Sequence, residues 1–358
     1  MENLKSLKKF YNNKRVFITG HTGFKGTWLS IILCHLNAKI YGYSLKPERN
    51  SLFKKTSIKN KLNSNCYADI RNIKDLKKKI NLSKPEIIFH LAAQPLVIDS
   101  FEKPVETFNT NILGTAHLLE SLRNIKSVKS VIIVTTDKVY KINKKSKSYK
   151  EIDQLGGIDP YSVSKVGAEI VTDCYIKSFF KNSNLRNKIS TVRAGNVIGG
   201  GDFSKNRLVP DIIRAINNKK KLIVRNPHHI RPWQHVLDPL VGYLILAKKQ
   251  CVKKINNDFE YAWNFGPNKS NFKKVSEVIK MAQKLENFKV IFDKKKKIQE
   301  TTTLKLESGK AKRKINWSSK WNLSVALEKT IELNRSINKD ISIENKCVQQ
   351  FLTYINNK

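Results

Sequence analysis

The sequence predicts an α/β fold, a doubly wound parallel sheet carrying a smaller mixed α/β lobe. Two observations carry that expectation. Short β-branched runs alternate with longer helical patterns through the first half of the 358 residues, the order that βαβ units impose. Three glycines at even spacing follow the first of those runs, where a strand would turn into a helix over a bound phosphate.

The elements can be taken in order. RVFITG (15–20) forms the first strand, and a helix runs from about Thr27. KIYGYSL (39–45) is the second strand, and a third precedes YADIRN; IKDLKKKI (73–80) is a basic helix. EIIFHLAA (86–93) is the next strand, NILGTAHLLESLRN (111–124) a helix, and SVIIVTT (130–136) another strand. A helix runs from Tyr161 towards Phe180, with one more strand in KISTVRAGNVIG (188–199). Beyond Gly199 the order loosens into Gly-, Pro- and Asn-containing segments such as GGGDFSKNRLVP and RNPHHIRPW, separated by DIIRAINNKK and LDPLVGYLILAKK. The expected division is a dinucleotide-binding domain at 1–196 and a substrate-binding lobe at 197–358, with the chain crossing back to the first domain in part of 236–267. That lobe would lie over the carboxyl ends of the strands, where open α/β sheets bind ligands.

Composition narrows the function classes. The formal net charge is +39, from 68 Lys and Arg against 29 Asp and Glu. These basic residues are spread along the whole chain, as in KKSKSYK and DKKKKIQ, so solvated faces are favoured over a nucleic-acid site. A smaller phosphate-bearing ligand would be served by the same field. Cys34, Cys66, Cys174, Cys251 and Cys347 form no CxxC pair, and no metal site is expected. MENLKSLKKFYNNKR lacks an apolar signal region, and no later run approaches the roughly 18 apolar residues that span a bilayer. A cytoplasmic protein without membrane or nucleic-acid partners is expected.

Gly20, Gly23 and Gly26 lie directly after the first strand. Glycines there let the backbone approach a pyrophosphate, whose charge is held by amides and the helix dipole. The fold is therefore Rossmann-like. The spacing is GxxGxxG, and the second strand ends in Ser44 where an acid commonly binds ribose, so this region leaves NAD and NADP both open. Asp69 could hold the adenine amino group or cap a helix. Tyr161 and Lys165 stand four residues apart, on one helical face. An ammonium near a phenol of ordinary pKa about 10 favours phenolate, the base needed to oxidise an alcohol; a helix-surface pair would have the same spacing. VTTDKVY (134–140) ends an apolar strand in an adjacent acid and base, Asp137 and Lys138, which either handle protons or form a surface ion pair.

With these residues in hand, the chain resembles the extended short-chain dehydrogenase/reductase family over nearly its whole length. The similarity runs through TGHTGFKGTWLS, SLKPERNSLF, ADIRN, HLAAQPLV, FNTNILGTAHLLE, VTTDKVY, DPYSVSK, RAGNVIGGGDF, IRPWQHVLDPL and WNFGP, and more weakly through LKLESGKAKRKINW. Glycine loop and YxxxK mark the broad family. The Thr-Asp-Lys triplet with GHTGFKG and RPWQHV points to its CDP-sugar dehydratase branch.

The resemblance implies bound NAD, held at Gly20, Thr22, Gly23, Phe24, Gly26, Asp69, Ile70, Leu91, Ala92 and Ala93 together with Tyr161 and Lys165. It implies conversion of CDP-glucose to the 4-keto-6-deoxy sugar, for deoxysugar and polysaccharide biosynthesis. Tyr161 and Lys165 would serve the oxidation at C4, and Thr136 would bond the C4 oxygen. Asp137 would protonate the departing C6 hydroxyl, and Lys138 would stand where related dehydratases use a glutamate base. Gln94, Asn196, Arg207, Arg231 and, more weakly, His235 would contact substrate. Helices PVETFNTNILGTAHLLESLRN and YSVSKVGAEIVTDCYIKSFF would pair between subunits of a homodimer. An epimerase or reductase, or a non-enzymatic NAD-binding sensor, would share the glycine loop and the Tyr-Lys pair.

Overall fold

The computed structural model describes residues 3–142, 148–252, 261–293, 302–337 and 342–357. Parts of the two basic runs quoted above, and 253–260 of the stretch expected to cross back, lie outside those residues. The strands are β1 (Arg15–Thr19), β2 (Lys39–Ser44), β3 (Ser64–Tyr67), β4 (Ile87–His90), β5 (Ser130–Val134) and β6 (Ile189–Ala194). They continue as β7 (Asn196–Ile198), β8 (Leu222–Val224), β9 (Ile230–His235), β10 (Ala262–Phe265), β11 (Phe272–Lys274) and β12 (Val290–Phe292).

Seven strands make the main sheet in the order β10-β6-β5-β4-β1-β2-β3, every pair parallel. A parallel sheet covered on both faces needs apolar side chains throughout its strands. Val16–Ile18, Ile87–Phe89 and Val131–Ile133 supply them, all buried, and divide between two hydrophobic clusters on opposite faces. Strand order reverses at β1, which lies between β2 and β4, so a crevice opens at the carboxyl edge there.

KISTVRAGNVIG, expected as one strand, is two. β6 ends at Ala194 in the main sheet, and β7 pairs with β9 in a three-stranded mixed sheet, β11-β9-β7. The break falls at Gly195, where a Cβ would come within 2.5 Å of the Pro232 carbonyl oxygen. Backbone approach that close admits only glycine. The stretch expected as a helix from Asn111 likewise begins with a π-type turn, Asn109–Leu113, before the α-helix Gly114–Ser121.

Later segments of the chain join the main sheet and its core. Helix Leu237–Val252 and strand β10 lie within the expected stretch, and β10 completes the main sheet beside β6. The C-terminal helix Ile343–Asn356 comes back as well and packs on helix Phe24–His35. Its Phe351 and Tyr354 are fully buried, the Tyr354 hydroxyl donates to Asp238 Oδ1 (2.5 Å), and Glu344 accepts from Ser57 Oγ (2.8 Å). The N-terminal segment that reads as polar forms helix Leu4–Tyr11, whose Tyr11 donates to the Leu244 carbonyl (2.8 Å).

Phe351 therefore belongs to the main core, not to a detachable lobe. Phe351→Ala should cost about 3–5 kcal/mol in urea unfolding, the range for a buried aromatic lost without refilling. A loss below about 1 kcal/mol would mean the helix is not anchored there.

Candidate active site

The glycine loop is shaped by contacts on two of its three glycines. Gly20 has φ +75°, and a Cβ there would lie 2.6 Å from the Ala92 nitrogen; one on Gly26 would run into the Gly20 carbonyl. Gly23 differs. Its nearest neighbour to an added Cβ is Gly20 O at 3.4 Å, so the protein leaves that side open. Helix Phe24–His35 starts there without a side-chain cap, so its first amides can donate to an anion. This open glycine at an uncapped helix start fits a dinucleotide's diphosphate.

Around the loop, the expected cofactor residues line the same edge. Leu91 N donates to Thr19 O (3.0 Å) and Ala92 N to Thr19 Oγ1 (3.2 Å), which presses the 91–93 segment against Gly20. Ile70 is buried beneath Gly114, and Phe24 reaches the loop at Gly199. Thr22 and Ser44 share a 2.7 Å hydroxyl bond, so Ser44 is engaged with the glycine loop. Asp69 is held by Arg71, whose Nη2 donates to Oδ2 at 2.6 Å and keeps the carboxyl below its ordinary range.

β5 ends at Val134 and delivers Thr135 and Thr136; the latter caps a short 3-10 turn, Asp137–Val139. Opposite stands helix Pro160–Tyr175, started by Pro160 and a capping box between Asp159 and Ser162. Asp137 is buried, and burial raises its pKa against the lowering pull of Lys138, Arg231, Thr136 and Lys25. Thr136 Oγ1 lies 3.2 Å from Asp137 Oδ1, while Oδ2 has no hydrogen-bond partner among the described residues. A buried, partnerless carboxyl oxygen that favours its acid form is suited to giving a proton to a ligand.

Tyr161 is also buried, and burial raises its pKa, opposed by a hydrogen bond with Thr136 and by the Arg207 charge. The Lys165 ammonium donates to the Val134 carbonyl (3.0 Å). Burial, then the neighbouring Lys25, bring Lys165 down to about 7.

Lys25 is the residue that sequence reasoning missed. Burial, then the Arg207 charge, lower it to about 8, while Asp137 and Asp202 pull it up. Its signal was a cation inside GFKG, on the first turn of a helix aimed at the strand ends.

The expected substrate residues divide. Arg207 pairs with Asp202 (3.4 Å), donates to Pro95 O (3.2 Å) and acts on Tyr161 and Lys25, while Arg231, buried, donates to the Ile230 and Thr302 carbonyls (3.0 and 3.2 Å) and acts on Asp137. Asn196 opens β7. The Gln94 side chain is spent on its own loop, donating to Leu96 O and Thr107 Oγ1, each at 3.0 Å. His235 is 0% exposed, packed between Trp28 and Trp321 among core residues, and burial drops its pKa to about 3.

The model of the family described as GDP-mannose 4,6 dehydratase matches residues 17–330. A CDP-glucose 4,6-dehydratase of Salmonella typhimurium is 41% identical over 92% of this chain and 92% of its own. A dTDP-D-glucose 4,6-dehydratase of Dictyostelium discoideum is 29% identical, over 69% of this chain and 59% of its own. Among solved structures, a dTDP-glucose 4,6-dehydratase from Bacillus anthracis in complex with NAD superposes with TM-score 0.75. It is 21% identical, over 91% of this chain and 97% of its own.

Gly23 has φ −75°, a conformation open to any residue. Gly23→Ala should thus leave unfolding stability within about 0.5 kcal/mol while its methyl, projecting into the open side, weakens dinucleotide binding. Calorimetric titration checks this, and unchanged affinity would place the diphosphate elsewhere.

Proposed function

The chain belongs to the GDP-mannose 4,6-dehydratase family, and from that premise we propose that it dehydrates CDP-glucose to CDP-4-keto-6-deoxyglucose with bound NAD. The observation that carries the reading is Asp137: buried, shifted towards its acid form, and with Oδ2 available to a ligand. A 4-epimerisation expels no water and has no use for such an acid. The 41% identical relative supports the choice of nucleotide.

NAD, when bound, supplies the hydride acceptor for C4 and the hydride donor for C6, so that the reaction has no net redox change. Tyr161 takes the C4 hydroxyl proton as phenolate, a form that burial opposes and that the Thr136 bond and the Arg207 charge favour. The ketone so formed acidifies the hydrogen on C5. Lys138, beside Asp137, assists removal of that proton, and Asp137 delivers its own to the C6 oxygen, which leaves as water. A proton then returns to C5. Arg207 and Arg231 hold the diphosphate, since planar guanidinium groups can meet two phosphate oxygens at once.

The reading includes a homodimer in a reducing, cytoplasmic compartment. All five cysteines are free, and among the described residues no helix is long and apolar enough to cross a membrane. Val105, Leu113, Val163 and Ile170 are large apolar side chains left exposed on the helices expected to pair. Ile170→Glu should convert dimer to monomer in analytical ultracentrifugation; an unchanged mass would remove that face from the interface.

Incubation with CDP-glucose deuterated at C4 should place the label at C6 of the product, read by NMR. Label retained at C4 would mean an epimerase-type cycle, and no turnover of CDP-glucose with turnover of dTDP- or UDP-glucose would correct the nucleotide. Asp137→Asn should still form NADH but lower kcat about 10²- to 10⁴-fold, the usual yield of a general acid; full activity would dismiss Asp137 from that role.

A further inference from the structure

Directly beneath the Thr136–Lys138 segment lies an ion pair shut away from water. Glu169, one helical turn beyond Lys165, and Arg193 on β6 have side chains 0% and 2% exposed. Arg193 Nε donates to Glu169 Oε1 and Nη2 to Oε2, both at 2.9 Å. The same carboxylate accepts from Thr135 Oγ1 and from Thr191 Oγ1, both at 2.6 Å. Arg193 Nη1 donates to the Tyr140 hydroxyl (2.8 Å), which donates in turn to Asn264 Oδ1 (2.6 Å), and the guanidinium lies 4.9 Å from the Tyr140 ring centre. Burial opposes the Glu169 charge, yet Arg193 and the two threonines hold its pKa below the ordinary value.

Thr135 immediately precedes the 136–139 segment, and Tyr140 immediately follows it. One ion pair therefore grips both ends of the stretch that carries the proposed acid and base. We propose that Glu169 and Arg193 are positioning residues that clamp this stretch and thereby aim Thr136 and Asp137 at the hexose; the proposal rests on the reading of function above.

Stability alone does not account for the arrangement. A buried ion pair recovers little more than its desolvation cost, and apolar residues of like volume serve a core as well. What such a pair adds is direction, because its donors and acceptors must converge at fixed angles. The segment needs that direction from outside. Within it the bonds are long, 3.2 Å from Thr136 to Asp137 and 3.4 Å from Lys138 N to Thr136 Oγ1, whereas Thr135 to Glu169, Arg193 to Tyr140 and Tyr140 to Asn264 measure 2.6 to 2.8 Å.

The two threonines make the test. Thr135→Val and Thr191→Val each delete one 2.6 Å bond to the same carboxylate, Thr135→Val with it a longer one to Val192 O (3.3 Å), but Thr135 adjoins the segment and Thr191 lies on β6 opposite Ile133. A purely structural pair predicts equal effects. The clamp predicts similar falls in Tm for both, with kcat down about tenfold or more and KM unchanged only in Thr135→Val, as expected when reacting groups move by a fraction of an ångström. Thr135→Ser, which restores the hydroxyl, should recover kcat. Crystal structures of both valine variants give a readout that needs no substrate: residues 136–138 should shift in Thr135→Val alone. Equal kcat losses, or an unmoved segment in Thr135→Val, overturn the clamp. Failure of the wild type to turn over CDP-glucose would overturn the function instead, leaving the crystallographic comparison to decide the clamp.

Discussion

The glycine loop, the 91–94 segment, the Thr-Asp-Lys triplet and Tyr161 gather at one edge of one parallel sheet, and this is a constraint of topology before it is one of chemistry. Parallel strands end together, so β1, β4, β5 and β6 deliver the glycine loop, the 91–94 segment, the Thr-Asp-Lys triplet and Arg193 to the same side. The helix Pro160–Tyr175 crosses beside them and brings Tyr161, Lys165 and Glu169. The reversal of strand order at β1 opens the space between. At Gly195 the chain leaves this sheet for the smaller one, which lets Arg207 and Arg231 approach from above.

Exclusion of water then tunes what the topology gathers. Desolvation is the largest influence on Asp137, Tyr161, Lys165 and Lys25 alike, raising the acids and lowering the bases. It brings Lys165 to about 7 and Lys25 to about 8, where exposed lysines would stay charged, moves Asp137 towards its acid form, and moves Tyr161 away from phenolate. The sign of the linked stability follows. Above about 7 for Lys165 and about 8 for Lys25, and below the unfolded value of 10.5, the unfolded chain binds more protons than the folded one. The penalty for burying these two cations is thus felt below that window and fades as pH rises through it.

The fold was largely legible because its signals are local. Apolar runs separated by helical patterns, and glycines at a strand-helix turn, need no knowledge of distant residues. What escaped depended on distance along the chain. Nothing near Phe351 shows that its helix meets Phe24–His35, and the polar opening of the sequence hides a helix whose Leu7 and Tyr11 are buried. His235 follows RPWQ, and only the two tryptophans that enclose it reveal a core position. The Tyr161 and Lys165 spacing was correct as helix geometry but did not say where the ammonium would point, and Val134 O claimed it. Lys25, Glu169 and Arg193 went unremarked because isolated charges carry no motif.

The central claim is that the 136–138 segment and Tyr161 converge on a single hexose. A crystal structure with NAD and a non-reacting CDP-sugar bound measures this directly. The account predicts Asp137 Oδ2 within hydrogen-bond distance of the oxygen at C6, with the Tyr161 and Thr136 hydroxyls at the oxygen on C4. A sugar lying with its C6 turned away from Asp137, or a segment facing the opposite side of the sheet, would contradict it.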